Sequence, residues 1–100
     1  MDEYNVMLQP KAYRDIDDIF SYIALEKQEP EIAERQTNRI WEALKSLRFL
    51  PQSHQDRLYG RYAKKGYKQL LIDSYIAIYK IDEKKKIVYI VTVQHQNRSL

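Results

Sequence analysis

Hydrophobic and polar positions change period along the chain, and each change marks an element. Residues 4–9 are bulky enough for a short strand, and Pro10 stops it while suiting the first turn of a helix. From Lys11 onward Ala12, Tyr13, Ile16, Ile19, Phe20 and Ile23 recur at three- and four-residue steps, which predicts an amphipathic helix. Asp15, Asp17 and Asp18 are read as lying on its other faces and complementing the dipole near its N-terminus. Pro30 ends the first helical pattern and opens a second, whose stripe is Ala33, Ile40, Ala43, Leu44 and Leu47, with Trp41 on its flank. So short a connection predicts an antiparallel helical hairpin. Residues 49–56, with Pro51, Gln52 and Ser53, read as the loop that leaves it.

Beyond that loop the period becomes two. Residues 67–72 form one predicted strand, Asp73 and Ser74 a turn, and residues 75–81 the next strand, with Tyr75, Ala77, Tyr79 and Ile81 on one face. Residues 82–86 make a polar turn, and residues 87–94 are apolar on both faces, as in the middle of a sheet. The expected fold class is α+β in the order β-α-α-β-β-β, a helical hairpin on a small, mostly antiparallel twisted sheet, with an extra short strand considered near residues 58–62. Residues 1–100 are expected to form a single domain.

Composition narrows the chemistry. The chain has no cysteine, which removes disulfides, thiol nucleophiles and cysteine-ligated metals, and fits a reducing cytoplasm. No apolar run approaches the ~20 residues that span a bilayer, and the N-terminus has no targeting pattern, so no membrane partner is expected. With only Gly60 and Gly66, neither a P-loop nor a dinucleotide-binding turn can be built. His54 and His95 lie far apart with no metal-ligand spacing around them, so no metal and no cofactor is expected.

The net charge of +3 hides a polarity. Residues 1–34 carry nine Asp/Glu against three Lys/Arg, hence −6; the remaining five acids and fourteen cations give residues 35–100 a charge of +9. The basic half contains residues 57–68, five cations interleaved with three tyrosines and no acid. Arg57, Arg61, Lys64, Lys65 and Tyr67 are therefore the candidate nucleic-acid contacts, the cations for phosphates and the rings for unpaired bases. The plainer alternative is a solvated loop beside sheet tyrosines. The run Lys84-Lys85-Lys86 reads chiefly as a solubilising hairpin turn. His95 and Arg98 follow the last strand. Metal-free RNA cleavage needs a base for the 2′-hydroxyl, cations for the phosphorane and an acid for the leaving 5′-oxygen, roles that His, Lys, Arg and Tyr can fill.

Three stretches together resemble the RelE/ParE toxin superfamily, over essentially the whole chain. They are the helical hairpin Tyr13-x-x-Ile16-x-x-Ile19-x-x-Tyr22-Ile23 … Pro30-x-x-Ala33, the strand Tyr75-x-x-Ile78-Tyr79-x-Ile81-Asp82, and the ending Val88-x-Ile90-x-x-Val93-x-His95-x-x-Arg98. The resemblance implies a toxin of a bacterial type II toxin–antitoxin module, held inactive by a cognate antitoxin. RelE-like members cut mRNA in the ribosomal A site, using basic and aromatic residues on the sheet's concave face, whereas ParE-like members poison DNA gyrase and are not known as nucleases. Lys68, His95 and Arg98 match RelE-like basic positions, which places ribosome-dependent mRNA cleavage slightly ahead: His95 as general base or acid, Lys68 in proton transfer or charge support, Arg98 on the developing dianion. Against this, Ile76 and Gln96 stand at or near places where RelE-like nucleases carry arginine, and the hairpin with Pro30 and Ala33 is more typical of ParE-like members. The remaining alternatives are a gyrase-binding toxin without enzymatic activity and a decayed toxin that keeps only antitoxin binding.

Overall fold

In the computed structural model, which describes residues 3–97, the chain runs β1 (Asn5–Leu8), α1 (Pro10–Ser21), α2 (Pro30–Lys45), β2 (Lys68–Ile72), β3 (Tyr75–Asp82) and β4 (Ile87–His95). This is the expected β-α-α-β-β-β order of an α+β fold. Pro10 occupies the start of α1, where its missing N–H costs nothing. The helix continues into a π-helical turn, Tyr22–Glu26, closed by the Lys27 N–H on the Tyr22 carbonyl. Gln28 then adopts a left-handed φ of 56°, and Glu29, barred from helix by the following proline, leads into α2.

The sheet order is β1-β4-β3-β2, antiparallel except for β1 beside β4. β4 is thus central, which explains why it is apolar on both sides. The helices cover one face. Ala12, Ile16, Ile40, Leu44 and Leu47 pack there against Ile72, Ala77, Tyr79, Val88, Ile90 and Val93. Tyr79 is fully buried, and its hydroxyl donates to the Pro51 carbonyl at 2.6 Å, tying the 49–56 loop to the core. The strand considered near residues 58–62 does not form; its place at the sheet edge is taken by a single bridge between Asp56 and Lys68.

One irregularity decides which way the end of β4 faces. Ile78 pairs with Thr92 but Tyr79 pairs with Ile90, so Val91 has no partner on β3. Such a bulge resets the alternation of side chains. Val88 and Ile90 face the helices, and beyond the bulge so does Val93. His95, two residues further on, shares that face.

Candidate functional site

Lys68 and His95 both lie on the helix-covered side of the sheet, but at separate places. Lys68 pairs with Tyr79 and His95 with Tyr75, so β3 lies between them and they are offset by four residues along it. At ~3.3 Å per residue and ~4.8 Å per strand, their backbones are roughly 16 Å apart. Lys68 is itself engaged: its ammonium donates to Asp56 Oδ1 at 2.7 Å and to the His54 carbonyl at 3.1 Å, and its side chain is only 21% exposed.

His95 borders a cleft of about 490 Å³ between α1 and the end of β4, lined also by Asp15, Asp18, Tyr22 and Tyr75. Its ring meets Tyr75 edge-on at 5.5 Å, and its Nδ1 accepts the Asn97 N–H at 3.1 Å. Burial, and after it the nearby Tyr22 hydroxyl, raises the pKa of Tyr75. Lys11 also lines this cleft and is paired with Asp15 at 3.1 Å, while Asp18 adds a second carboxylate. Arg98 lies outside the described residues.

Asp15 is where the structure departs most from the reading of α1. It is buried rather than on a polar face, and its carboxylate accepts from the Thr92 hydroxyl, from the Val93 N–H at 3.1 Å and from Lys11 at 3.1 Å, while Lys11 also donates to Thr92 at 3.0 Å. The signal was present in the spacing, since Asp15 lies three residues after Ala12 and four before Ile19, on the buried stripe.

The nucleic-acid candidates divide. Arg61, Lys64 and Lys65 are exposed. Arg57 is spent on its own loop, donating to the Tyr59 carbonyl at 2.9 Å and to Gln69 at 3.0 Å. Tyr67 is half-buried, with Tyr62 edge-on at 5.0 Å and the Lys80 ammonium 5.0 Å from its ring centre, so it offers no open stacking face. Among the described residues no three acidic or histidine side chains stand together as metal ligands, and no helix is long and apolar enough to cross a membrane.

Comparison with known proteins supplies the family. A family model described as the ParE toxin of the type II toxin–antitoxin system parDE matches residues 6–100. The chain belongs to the ParE toxin family. Solved structures share its fold across nearly their whole length. A chromosomal ParDE system from P. aeruginosa superposes with a TM-score of 0.75 at 21% identity, covering 93% of this chain and 96% of that one. The RelBE2 toxin–antitoxin complex of Mycobacterium tuberculosis gives 0.67 at 22% identity over 98% and 97% of the two chains. An archaeal RelE–RelB complex from Pyrococcus horikoshii gives 0.65 at 12% identity over 97% and 99%. Among curated protein sequences none matches this ParE-family chain.

Proposed function

We propose that this ParE-family toxin acts by binding rather than by cutting RNA, with DNA gyrase in the cytoplasm as its target and a cognate antitoxin as its inhibitor. The observation that carries this reading is the separation of Lys68 from His95 by roughly 16 Å, with Lys68 engaged by Asp56, which leaves no shared place for a scissile phosphate among the described residues. Ile76 adds to it. This residue, where RelE-like nucleases carry arginine, is 5% exposed in the sheet. The antitoxin reading draws on the helical hairpin, which leaves Tyr13, Phe20, Tyr22, Leu25 and Ile32 exposed as apolar surface for a partner.

The test is inducible expression in a bacterial host, with 5′-end mapping of mRNA and detection of double-strand DNA breaks in the same cultures. Growth arrest with broken DNA and intact mRNA is expected, retained by His95→Gln and Lys68→Gln. New 5′ ends inside translated codons, lost when initiation is blocked or when folded His95→Gln replaces the wild type, would return the protein to mRNA cleavage. Absence of arrest would mark a toxin that has kept only its antitoxin-binding role.

A further inference from the structure

The sheet face turned away from the helices carries a second set of cations, which alternation along β3 locates. Tyr75, Ala77, Tyr79 and Ile81 pack on the helix side, so Lys80 projects from the other face. It is exposed, and it joins two loops. On one side its Nζ stands 5.0 Å from the Tyr67 ring centre, and its Cε lies 3.7 Å from where a Cβ on Gly66 would be. On the other side it shares a cleft of about 320 Å³ with Tyr89 and with Asp82, Glu83 and Lys84 at the β3–β4 turn. Lys64 and Lys65 directly precede Gly66, and Lys85 directly follows Lys84. Arg61, Lys64, Lys65, Lys80, Lys84 and Lys85, all exposed, therefore form a continuous basic band.

The six cations of this band outnumber the three acids beside it, Asp56, Asp82 and Glu83. Asp56 is paired with Lys68. Asp82 Oδ1 accepts the Lys85 N–H at 3.0 Å. The Glu83 carboxylate accepts from the Tyr4 hydroxyl and the Gln52 amide, and these bonds, the Tyr4 one foremost, hold its pKa below the usual carboxylate range, so it stays anionic but is turned to those partners. The loop that presents half of the cations is preformed. Gly60, Lys64 and Gly66 all take left-handed φ values of 80°, 57° and 84°, and the loop closes on itself through Ala63 N–H to the Gly60 carbonyl and Lys64 N–H to the Arg57 carbonyl. A lysine held in that conformation shows that its surroundings dictate the backbone.

We propose that this band docks the phosphate backbone of duplex DNA. The choice of duplex follows from the rings. A platform for unpaired bases needs open aromatic faces, but Tyr67 is taken by Tyr62 and Lys80, which leaves Tyr59 as the one well-exposed ring of the band. A lysine-rich surface with a single stacking site suits a continuous row of phosphates better than a run of unpaired bases, and its affinity comes from counterion release. The proposal rests on the gyrase reading for its biological setting, a toxin seated where the enzyme holds a DNA segment.

The test is binding of the purified toxin alone to a short labelled DNA duplex, by fluorescence anisotropy over a range of salt. Two variants remove the band in halves, Lys80→Gln/Lys84→Gln/Lys85→Gln and Arg61→Gln/Lys64→Gln/Lys65→Gln. A third, Lys27→Gln/Arg35→Gln/Lys45→Gln, removes as many exposed charges from the helical hairpin. The logarithm of affinity should fall linearly with that of salt, each band variant should flatten the slope by about 2 to 3, at ~0.9 per lost phosphate contact, and the hairpin variant should keep the wild-type slope. Equal slopes in all four proteins would overturn the proposal, as would tighter binding of single-stranded RNA of the same length. Gyrase is absent from this measurement, so a toxin that binds duplex as expected yet breaks no DNA in cells would refute the gyrase reading and leave the band standing.

Discussion

Tyr79 and Asp73 illustrate how single side chains hold this molecule by different means. Tyr79 is buried against the core with one polar atom, and the Pro51 carbonyl accepts its hydroxyl. Burial raises its pKa, so it stays a donor throughout the working pH range. Tyr79→Phe should cost about 1–3 kcal/mol in urea unfolding, because the Pro51 carbonyl is then left without its partner; an unchanged midpoint would mean that water replaces the hydroxyl. Asp73 is on the surface, bridged by Arg39 at 2.7 Å and by Gln36 at 3.0 Å. These hydrogen bonds, Arg39 first, lower its pKa from the ordinary 3.8 to about 2. A depressed carboxylate pKa stabilises the fold above the unfolded value, and that contribution disappears as pH falls from about 4 to 2. Wild type should therefore lose more stability than Asp73→Asn across that window, and parallel curves in acid titrations of unfolding would contradict the assignment. Neither partnership was visible in the sequence: a turn aspartate and a strand tyrosine look the same whatever they meet, and Arg39 is 34 positions from Asp73.

At the scale of elements, the strands and helices were legible because each buries one face, and burial writes its period into the chain. Pro10 and Pro30 set the helix starts where expected. The bulge at Val91 was not legible, since valine on either side of a central strand satisfies the same apolar pattern. Yet the bulge governs the site: it turns His95 toward Asp18 and Tyr22 rather than toward the open face, and so removes the histidine from any surface shared with Lys80. The loop from Arg57 to Tyr67 was misread at residues 58–62 because its tyrosines have strand propensity, which the left-handed turns at Gly60 and Lys64 override. Gly66 holds a left-handed φ of 84° next to Lys80. A Cβ there would meet only ordinary contact with Lys80, so Gly66→Ala should cost only the backbone term, about 1–2 kcal/mol for an alanine held at φ 84°. Amide exchange should accelerate at Lys64, whose N–H bonds the Arg57 carbonyl, and at Arg57, whose N–H bonds the Tyr67 carbonyl, while the amides of β3 and β4 stay protected.

Across the whole molecule, charge and architecture run in the same direction. The acidic N-terminal residues build α1 and the start of α2, on one side of the sheet, and the cations of the two loops gather on the other, so an anionic target is steered toward the face that carries the loops. The sheet that separates these faces has its last strand in its interior: β4 holds β3 on one side and β1 on the other. A chain ended before Ile87 would leave β1 without a neighbour and the core without Val88, Ile90 and Val93. It should show no cooperative unfolding transition by circular dichroism. Synthesis meets the same constraint, because β1 leaves the ribosome first and has nothing to pair with until residues 87–95 follow it. A nascent chain that still lacks residues 87–95 therefore has no completed sheet, and both faces of the molecule come into being together when that strand arrives.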